Sequence, residues 1–564
     1  MAMKKLVWMF LLTLFLVFPL GAHADFSNEV KVLASDGAAS DSFGLPVDVS
    51  GDIAIAGANG KDDNGLNSGA AYILERDSVT GDWSEKVKLL ASDGAQGDSF
   101  GSFVSISGDT ALVGAGLTDD NGTDSGSAYV FVRNPGDGTW SEQAKLLPTD
   151  GKAGDKIGLA VSLSGDLAAV GGRLADSSNG AVYIFVRDAS TGSWTQEAKF
   201  WESNSAFLQQ FGDAVAVQGD TLVVGSSGDA DKGQYAGAAY VYVENSVTGN
   251  WELQQKLLAS DGAASDRFGS SVSISGDFIA IGADEDDGSA TNTGAVYLYE
   301  WNSGTANWDQ KQKLVAPDAA GSDFFGFSVS LEGNNLVVGS HYDDDDYTGS
   351  GSVYVFERNS STGVWEQIQK LLASDRSTNA RFGQSVSLSG DNLVVGAMTD
   401  ELGINANNGS VYAYSSASAC AGLVENCDFE IEVPSNGTGG GWTSYDIGPY
   451  DSDGWVSTNC KEGSCFDLNG FSNQMPTIEQ TVPGLTVGAT YELTGDYAIY
   501  AFNWSCSYGQ LAIDINGENL VKLDPPGCTN TQITWGSFST NFVAPTSDVT
   551  IAFRAQIDGD RDYA

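Results

Sequence analysis

FGSFVSISGDTALVGA, residues 100–115, is the stretch of this chain that decides its fold. After the Phe-Gly pair, residues 104–107 alternate between apolar and small polar side chains, which predicts a half-buried β-strand. A Ser-Gly-Asp turn follows, and the apolar run after it is typical of a strand that is covered on both faces. The stretch therefore predicts an antiparallel hairpin.

This hairpin recurs seven times along the chain. The Phe-Gly pair, or Ile-Gly in the third copy, begins at residues 43, 100, 157, 211, 268, 325 and 382, so five of the six steps are 57 residues and one is 54. In the sixth copy two further strands follow, at residues 352–356 and from Trp365 to near Leu372. Four antiparallel strands per unit at this period predict an all-β fold, a seven-bladed β-propeller over residues 25–415.

The outermost strand of the last blade is missing from its expected place. Trp83 and five later tryptophans open the fourth strand of six units, but the seventh unit ends without one. Residues 26–36 (FSNEVKVLASD) align with residues 83–93 (WSEKVKLLASD). We therefore expect residues 26–33 to supply that strand and to close the ring without an unpaired edge. The repeated Phe and Trp positions, one of each per blade, indicate packing between blades.

Phe-Gly followed about a dozen residues later by Val-Gly-Ala, as at residues 113–115, resembles the FG-GAP repeat of integrin α-chain propellers. The resemblance implies the propeller scaffold, which hosts adhesion receptors, enzymes and other surface proteins alike. Integrin-type blades often carry an Asp-x-Asp-x-Asp-Gly calcium loop between the first two strands. Here a tight turn such as Ser107-Gly108-Asp109 takes its place, so those calcium sites are not expected.

Acidic residues gather instead in two sets of loops that a four-stranded blade places on one face. The first set joins the second and third strands, and the second set joins one blade to the next. In the connections, Asp93 and its equivalents are interpreted as turn formers that bind nearby backbone N–H groups. The acids of the first set are either solvated charge or ligands of weak Ca²⁺ sites. The candidate metal ligands are Asp284, Asp286, Asp287, Asp343, Asp344, Asp345 and Asp346.

The net charge, the N-terminal segment and the lack of a later long apolar run restrict the class of protein. A formal net charge of −47 argues against nucleic acid and anionic membranes as partners, and suits cations or cationic partners. Residues 1–24 have the two lysines, the apolar stretch and the Ala-His-Ala end of a signal peptide. Because no later apolar run reaches the length of a membrane helix, we expect a secreted or cell-surface protein without membrane insertion after cleavage.

A second domain is expected after a linker at residues 416–419. All six cysteines lie beyond residue 419, and six cysteines allow 15 pairings. Proximity along the chain favours Cys420–Cys427 and Cys460–Cys465, which leaves Cys506–Cys528. The disulfides suit a small exported domain.

Residues 423–430 (LVENCDFE), with later β segments such as 478–482, resemble the opening of galactose-binding-like sandwiches, among them many carbohydrate-binding modules. The resemblance implies a small disulfide-containing β-sandwich (jelly roll) over residues 420–564, which we expect to continue beyond residue 564. It also implies a structural Ca²⁺. The ligand candidates for that ion are Asp428, Glu430 and Asp560 or Asp562. An aromatic platform for sugar, with core packing as the alternative role, would consist of Trp442, Tyr445, Trp455 and Trp504.

Catalytic signatures are scarce. The chain has two histidines, His23 in the signal segment and His341 beside an acidic loop, where a surface residue is expected more often than a general base. With so many aspartates, carboxylate pairs do not identify a glycosidase. We therefore predict a non-catalytic binding or adhesion protein, expected to be a monomer, whose partner is a glycan, matrix component or protein. A structural envelope or matrix component and a polysaccharide-acting hydrolase or lyase are the alternatives.

Overall fold

The computed structural model describes residues 26–78, 80–202, 209–345, 347–400 and 407–416, and eight further strands beyond residue 416. The chain divides into two compact units, of which one comprises residues 24–417 and the other contains residues 418–564. The predicted signal peptide lies outside the described residues. Where the chain is described, no helix has the length and apolar character that a membrane crossing requires.

The first unit confirms the seven-bladed β-propeller. Its 28 strands form seven four-stranded antiparallel sheets. The strands and the one helical turn are β1 Phe26–Val32, β2 Val47–Ser50, β3 Ile53–Ala58, β4 Ala70–Arg76, β5 Trp83–Leu89, β6 Phe103–Ser107, β7 Thr110–Ala115, β8 Ser127–Arg133, β9 Trp140–Leu146, β10 Ala160–Ser164, β11 Leu167–Gly172, α1 Ala175–Ser178, β12 Ala181–Arg187, β13 Trp194–Phe200, β14 Phe211–Gln218, β15 Thr221–Ser226, β16 Ala238–Glu244, β17 Trp251–Leu257, β18 Ser271–Ser275, β19 Phe278–Ala283, β20 Ala295–Asn302, β21 Asn307–Leu314, β22 Ser328–Glu332, β23 Asn335–Ser340, β24 Ser352–Arg358, β25 Trp365–Leu371, β26 Ser385–Ser389, β27 Asn392–Ala397 and β28 Ser410–Ser416.

Blade seven is built from both ends of this unit. β1 pairs antiparallel with β28, with Phe26 opposite Ser416 and Val32 opposite Val411. Phe26 is buried in the apolar layer between blades six and seven, and its backbone N–H and C=O both bind the Gln369 side chain of blade six. The N-terminal strand therefore fills the outer edge of the blade and ties it to its neighbour.

The Phe-Gly pair is the joint between successive blades. In all seven units the N–H of its first residue donates to a carbonyl just before the third strand of the preceding blade, as from Phe100 to Ser68 at 3.0 Å. The next residue of that blade, Gly69, has a φ of +85° and leaves no room for a Cβ atom against the Phe100 backbone. The Phe100 ring is fully buried and meets Tyr129 edge to face, with centroids 5.3 Å apart. Glycine is required here because two backbones touch.

The innermost strands pack against one another around the central channel. At the end opposite the acidic loops, each turn glycine donates its N–H to a side chain of the preceding blade, as from Gly108 to Ser50 Oγ at 3.0 Å. This hydrogen-bonded circle has seven members. It makes one end of the channel regular and leaves the loop end free to vary.

The described strands of the second unit form two antiparallel sheets. A six-stranded sheet has the order β29-β30-β31-β36-β33-β34, and β32 pairs with β35. Their bounds are β29 Thr438–Gly439, β30 Trp442–Tyr445, β31 Thr477–Val482, β32 Thr490–Tyr500, β33 Gln510–Ile515, β34 Glu518–Leu523, β35 Ile533–Val543 and β36 Val549–Gln556. The jelly-roll sandwich stays a prediction, and the three predicted disulfides lie outside the described residues.

Candidate functional site

Two concentric sets of side chains occupy the loop face of the propeller. The outer set, which we call the lysine ring, holds one Tyr–Lys pair per blade, with the lysine Nζ over the tyrosine ring at 4.8–5.7 Å from its centroid. The pairs are Tyr72–Lys88, Tyr129–Lys145, Tyr183–Lys199, Tyr240–Lys256, Tyr297–Lys313, Tyr354–Lys370 and Tyr412–Lys31.

Blade five shows how a cluster of the lysine ring is held together. The Tyr297 hydroxyl oxygen lies 2.8 Å from Asp261 and 2.9 Å from Asp286, so the two carboxylates share its one proton as acceptors. Lys313 Nζ lies 2.8 Å from each carboxylate. Burial alone would raise the pKa of Asp261, but hydrogen bonds from Lys313 and Tyr297 outweigh it and hold that pKa below its usual range. Burial, together with the two carboxylates, raises the pKa of Tyr297 far above its usual value. The cluster satisfies its own charges.

The clusters differ in how many acids they contain. The next-to-last residue of every second strand is a glycine. Four residues after it, blades four to seven carry a buried aspartate that binds the cluster: Asp229, Asp286, Asp343 and Asp400. Blades one to three have Lys61, Thr118 and Ala175 at that position. Lys61 is buried and pairs with Asp41 at 2.9 Å. Lys199, the lysine of blade three, contacts the exposed Asp150 at 2.6 Å, and Ala175 stands where blades four to seven have the buried aspartate.

The predicted calcium ligands are distributed over both sets. Asp286 binds Lys313, and Asp343 and Asp345 bind Lys370, so an ammonium group already neutralises these carboxylates. Asp287 and Asp344 accept backbone N–H groups from Asn292 and Gly349 in their own loops. Within the described part of the chain, no three acidic, histidine or cysteine side chains are grouped so that they could hold a metal ion. Asp346 lies outside the described residues, and calcium binding stays a prediction.

In five of the seven connections the turn-forming role lies with the second aspartate, where we expected the first. Asp98 Oδ2 accepts the N–H of Ala95 at 2.8 Å, and Asp41, Asp155, Asp266 and Asp323 accept equivalent bonds. Asp93 instead accepts the Tyr129 hydroxyl and pairs with Lys145. The reason is tertiary, because the third and fourth strands of the following blade deliver a tyrosine and a lysine to Asp93.

The inner set, which we call the mouth ring, surrounds the loop end of the central channel. It combines the residue after each Phe-Gly pair with the residue two positions after the next-to-last glycine of each second strand. In blade order these pairs are Leu45 and Asn59, Ser102 and Gly116, Leu159 and Arg173, Asp213 and Ser227, Ser270 and Asp284, Phe327 and His341, and Gln384 and Met398. Contacts interleave the two kinds, since Asp213 accepts Ser227 Oγ at 2.7 Å and lies 3.5 Å from Arg173 of blade three.

The residue just before each Phe-Gly pair borders this ring with a left-handed backbone. All seven, including Lys156, Arg267, Phe324 and Arg381, have φ between 54° and 60°. Side chains other than glycine seldom adopt this conformation, and here the blade joint imposes it in every unit. The joint thereby presents a variable side chain at the same place in each blade.

Blades five and six hold the most unusual part of the mouth ring. His341 is buried, with 5% of its surface exposed, so the surface position expected from the sequence is wrong. Its ring lies 4.0 Å from that of Phe327 and 4.5 Å from that of Tyr342, and burial and Arg381 lower its pKa to about 3. The burial of Asp284 raises its pKa to about 6, although Ser270 and Arg267 oppose the shift. His341 is therefore a neutral imidazole in an aromatic setting.

The remaining predicted site residues belong to the second unit. Trp442 and Tyr445 are the first and last residues of β30, which places them on one strand. Asp428, Glu430, Trp455, Trp504 and Asp560 lie outside the described residues. Their proposed roles in binding calcium or sugar stay predictions.

Sequence reasoning missed both rings, and one of them had a clear signal. A lysine stands five residues after the aromatic residue that opens every outer strand, from Lys31 after Phe26 to Lys370 after Trp365. A tyrosine in every third strand has the same period. The mouth ring has no recurring residue that marks it, because its positions are those at which the residue differs from blade to blade.

The comparisons with known proteins agree with the fold. Seven segments match the FG-GAP repeat, at residues 26–74, 83–131, 140–185, 194–242, 251–299, 308–356 and 365–414, and together they cover more than half of the chain. No curated protein matches the sequence.

Two solved structures show a distant similarity. The crystal structure of Saccharomyces cerevisiae Sqt1 is 12% identical with a TM-score of 0.37, covering 70% of this chain and 87% of that one. A putative 6-phosphogluconolactonase from Bacteroides uniformis is 15% identical with a TM-score of 0.40, covering 61% and 89%. At these scores neither informs the function. The seven matched segments do decide the family: the chain belongs to the FG-GAP repeat proteins.

Proposed function

We propose that this protein is a secreted or cell-surface, non-catalytic binding protein of the adhesion type, and that it binds its partner at the mouth ring beside blades five to seven. The supporting observation is a contrast on one face. The lysine ring repeats in all seven blades and satisfies its own charges. The mouth ring changes from blade to blade and leaves buried polar atoms without partners at Asp284, His341 and Gln384.

The aromatic and basic groups that border this region suit a binding role. Phe324, Phe327 and Tyr342 surround His341, with ring centroids 4.0–5.8 Å from its own. Arg381 donates to the Tyr342 hydroxyl at 2.6 Å and lies 4.9 Å from its ring centroid. Partly exposed aromatic and arginine side chains are the groups that contribute most to recognition surfaces.

Binding of the intact protein to a panel of glycans, matrix proteins and cells tests this proposal. The internal repeat supplies conservative variants, because Phe327→Ser and Phe324→Ser copy the residues found in blade two, Ser102 and Ser99. We expect each to reduce binding of the captured partner at least tenfold while the melting temperature changes little. Asp109→Ser, in a turn at the opposite end of the channel, is the control. Equal binding by all three variants would contradict the proposal.

Asp284 also supports a second candidate, a hydrolase or lyase that acts on polysaccharide. A carboxyl group whose pKa is raised to about 6 by burial is suited to general acid catalysis near neutral pH. That alternative expects turnover of a polysaccharide that Asp284→Asn abolishes while binding persists. Binding without turnover by the unmodified protein would eliminate it.

A further inference from the structure

Besides the hydroxyl of Ser270, three buried polar atoms without hydrogen-bond partners lie in the mouth ring of adjacent blades. They are Asp284 Oδ1 in blade five, His341 Nδ1 in blade six and Gln384 Oε1 in blade seven. The residues that carry them are 5%, 5% and 9% exposed, respectively. Buried polar groups are nearly always paired with protein or with water, so these atoms mark a place where a ligand can supply the partners that water would otherwise supply.

Backbone contacts between the blades place these groups beside one another. The Gly282 backbone touches that of Gly326, so Asp284, two residues after Gly282, lies next to Phe327. In the same way Gly339 touches Gly383, which brings His341 next to Gln384. Equivalent neighbours elsewhere in the ring do meet, as Arg173 of blade three does with Asp213 of blade four. Since Phe327 also packs on His341, the groups form one continuous lining.

The chemistry of this lining selects a ligand that donates hydrogen bonds. A carboxylate and an amide oxygen only accept, and a neutral imidazole can accept through its unprotonated nitrogen. The Ser270 hydroxyl, which can donate, faces one of these acceptors, Asp284. Phe327 adds a partly exposed aromatic surface against which an apolar ligand face can pack. Hydroxyl groups above a C–H face are the features of a sugar ring.

Charge argues against ionic ligands at this place. An anion would meet Asp284 beside Glu285, and a cation would meet Arg381, whose guanidinium group donates to the Tyr342 hydroxyl. Arg267 is balanced by Glu285 at 3.1 Å. The lining therefore has opposing charges at its two ends and an uncharged middle.

We propose that the mouth ring at blades five to seven is a binding site for a neutral saccharide, whose hydroxyl groups donate to Asp284, His341 and Gln384 and whose ring packs on Phe327. This deepens the proposed function and rests on it.

An array of immobilised oligosaccharides tests the ligand class on the full chain. Its probes are neutral oligosaccharides of glucose, galactose, mannose and N-acetylglucosamine, sulfated oligosaccharides, and lysine-rich peptides. We expect neutral probes to bind. In titration calorimetry with the best neutral probe, Phe327→Ser should weaken binding at least tenfold and Gln384→Ser about threefold. Leu159→Ser, the equivalent change in blade three, should leave it unchanged.

The outcomes separate this inference from the proposed function. If only sulfated probes or peptides bind, and Phe327→Ser abolishes that binding, the neutral saccharide is wrong as the ligand class but the site is kept. Neutral-sugar binding that none of the mouth-ring variants alters would place the sugar elsewhere and overturn the site as well. Gln384→Ser copies Ser270 of blade five, so it provides a second reading if Phe327→Ser proves unstable.

Discussion

Asp284 and Asp286 are two buried aspartates two residues apart in one loop, yet they belong to different regions of the molecule. Asp286 lies in the lysine ring, where Tyr297 and Lys313 bind its carboxylate. Asp284 lies in the mouth ring, where one of its oxygens has no partner and burial raises its pKa to about 6. The comparison teaches that burial of an acid does not by itself reveal its role. What separates the two is whether the repeat supplies a partner, as it does seven times in the lysine ring.

The largest expected effect comes from removing the strand that completes the lysine ring. Deleting residues 26–33 exposes the edge of β28 and removes the buried Phe26 and Val32 and the half-buried Lys31. Two buried apolar side chains alone contribute roughly 4 kcal/mol. We expect the melting temperature to fall by about 10 °C or more in calorimetry, relative to a chain that begins at residue 25. An unchanged melting temperature would refute closure by this strand.

Breaking single clusters of the lysine ring should give unequal losses. Lys31→Met leaves the buried Asp400 without its cation, which we expect to reduce the free energy of unfolding by about 3 kcal/mol. Lys199→Met is the matched control, because its pair with the exposed Asp150 contributes about 1 kcal/mol or less. Urea titrations of both variants measure the difference. Equal losses would show that the buried aspartates of blades four to seven add nothing.

The two neighbouring aspartates should respond to amidation with opposite signs. Asp286→Asn removes the charge that binds Lys313 and should cost about 2 kcal/mol at pH 7.5. Asp284→Asn should stabilise the fold by about 1 kcal/mol at that pH, because a raised pKa means that ionisation opposes folding above pH 6. The groups facing Asp284 are Ser270, Arg267 and Glu285.

At pH 4 Asp284 is protonated in the folded state and about half protonated in the unfolded state, where its pKa is 3.8, so most of the gain from Asp284→Asn should disappear there. Denaturant unfolding at the two pH values measures this. Destabilisation at pH 7.5 would mean that Ser270 and Arg267 stabilise the ionised Asp284 by more than its burial costs.

The last expected effect concerns acid sensitivity, and it is absent at pH 7.5. Because the pKa of His341 is lowered to about 3, the unfolded state takes up a proton below pH 6.5 that the folded state refuses, and stability falls as the pH falls. The loss reaches about 2 kcal/mol at pH 5. His341→Asn, which copies Asn59 of blade one, should lose that much less stability between pH 7.5 and pH 5. Parallel curves for the two proteins would indicate that His341 is protonated in the fold.

Much of the fold could be predicted from the sequence because the physics that specifies a blade is local and repeated. Alternation, turn residues and the Phe-Gly pair recur at a fixed period, and each repetition adds independent support for the same strands. The second unit lacks such repetition, and its proposed disulfides and sugar platform stay predictions. The acids of the loop face were found as a set, but their division into two rings was not visible from their spacing.

What the sequence determined by itself is the seven-bladed scaffold, since period and strand pattern suffice for it. What only the tertiary structure decided is which side chains satisfy one another across the blades. Asp93 meets Lys145 from 52 residues away, whereas Asp284 and His341 end beside the channel without partners. Charges and hydrogen bonds act through space over a few ångströms, so the blade joint, rather than distance along the chain, assigns each acid to structure or to binding.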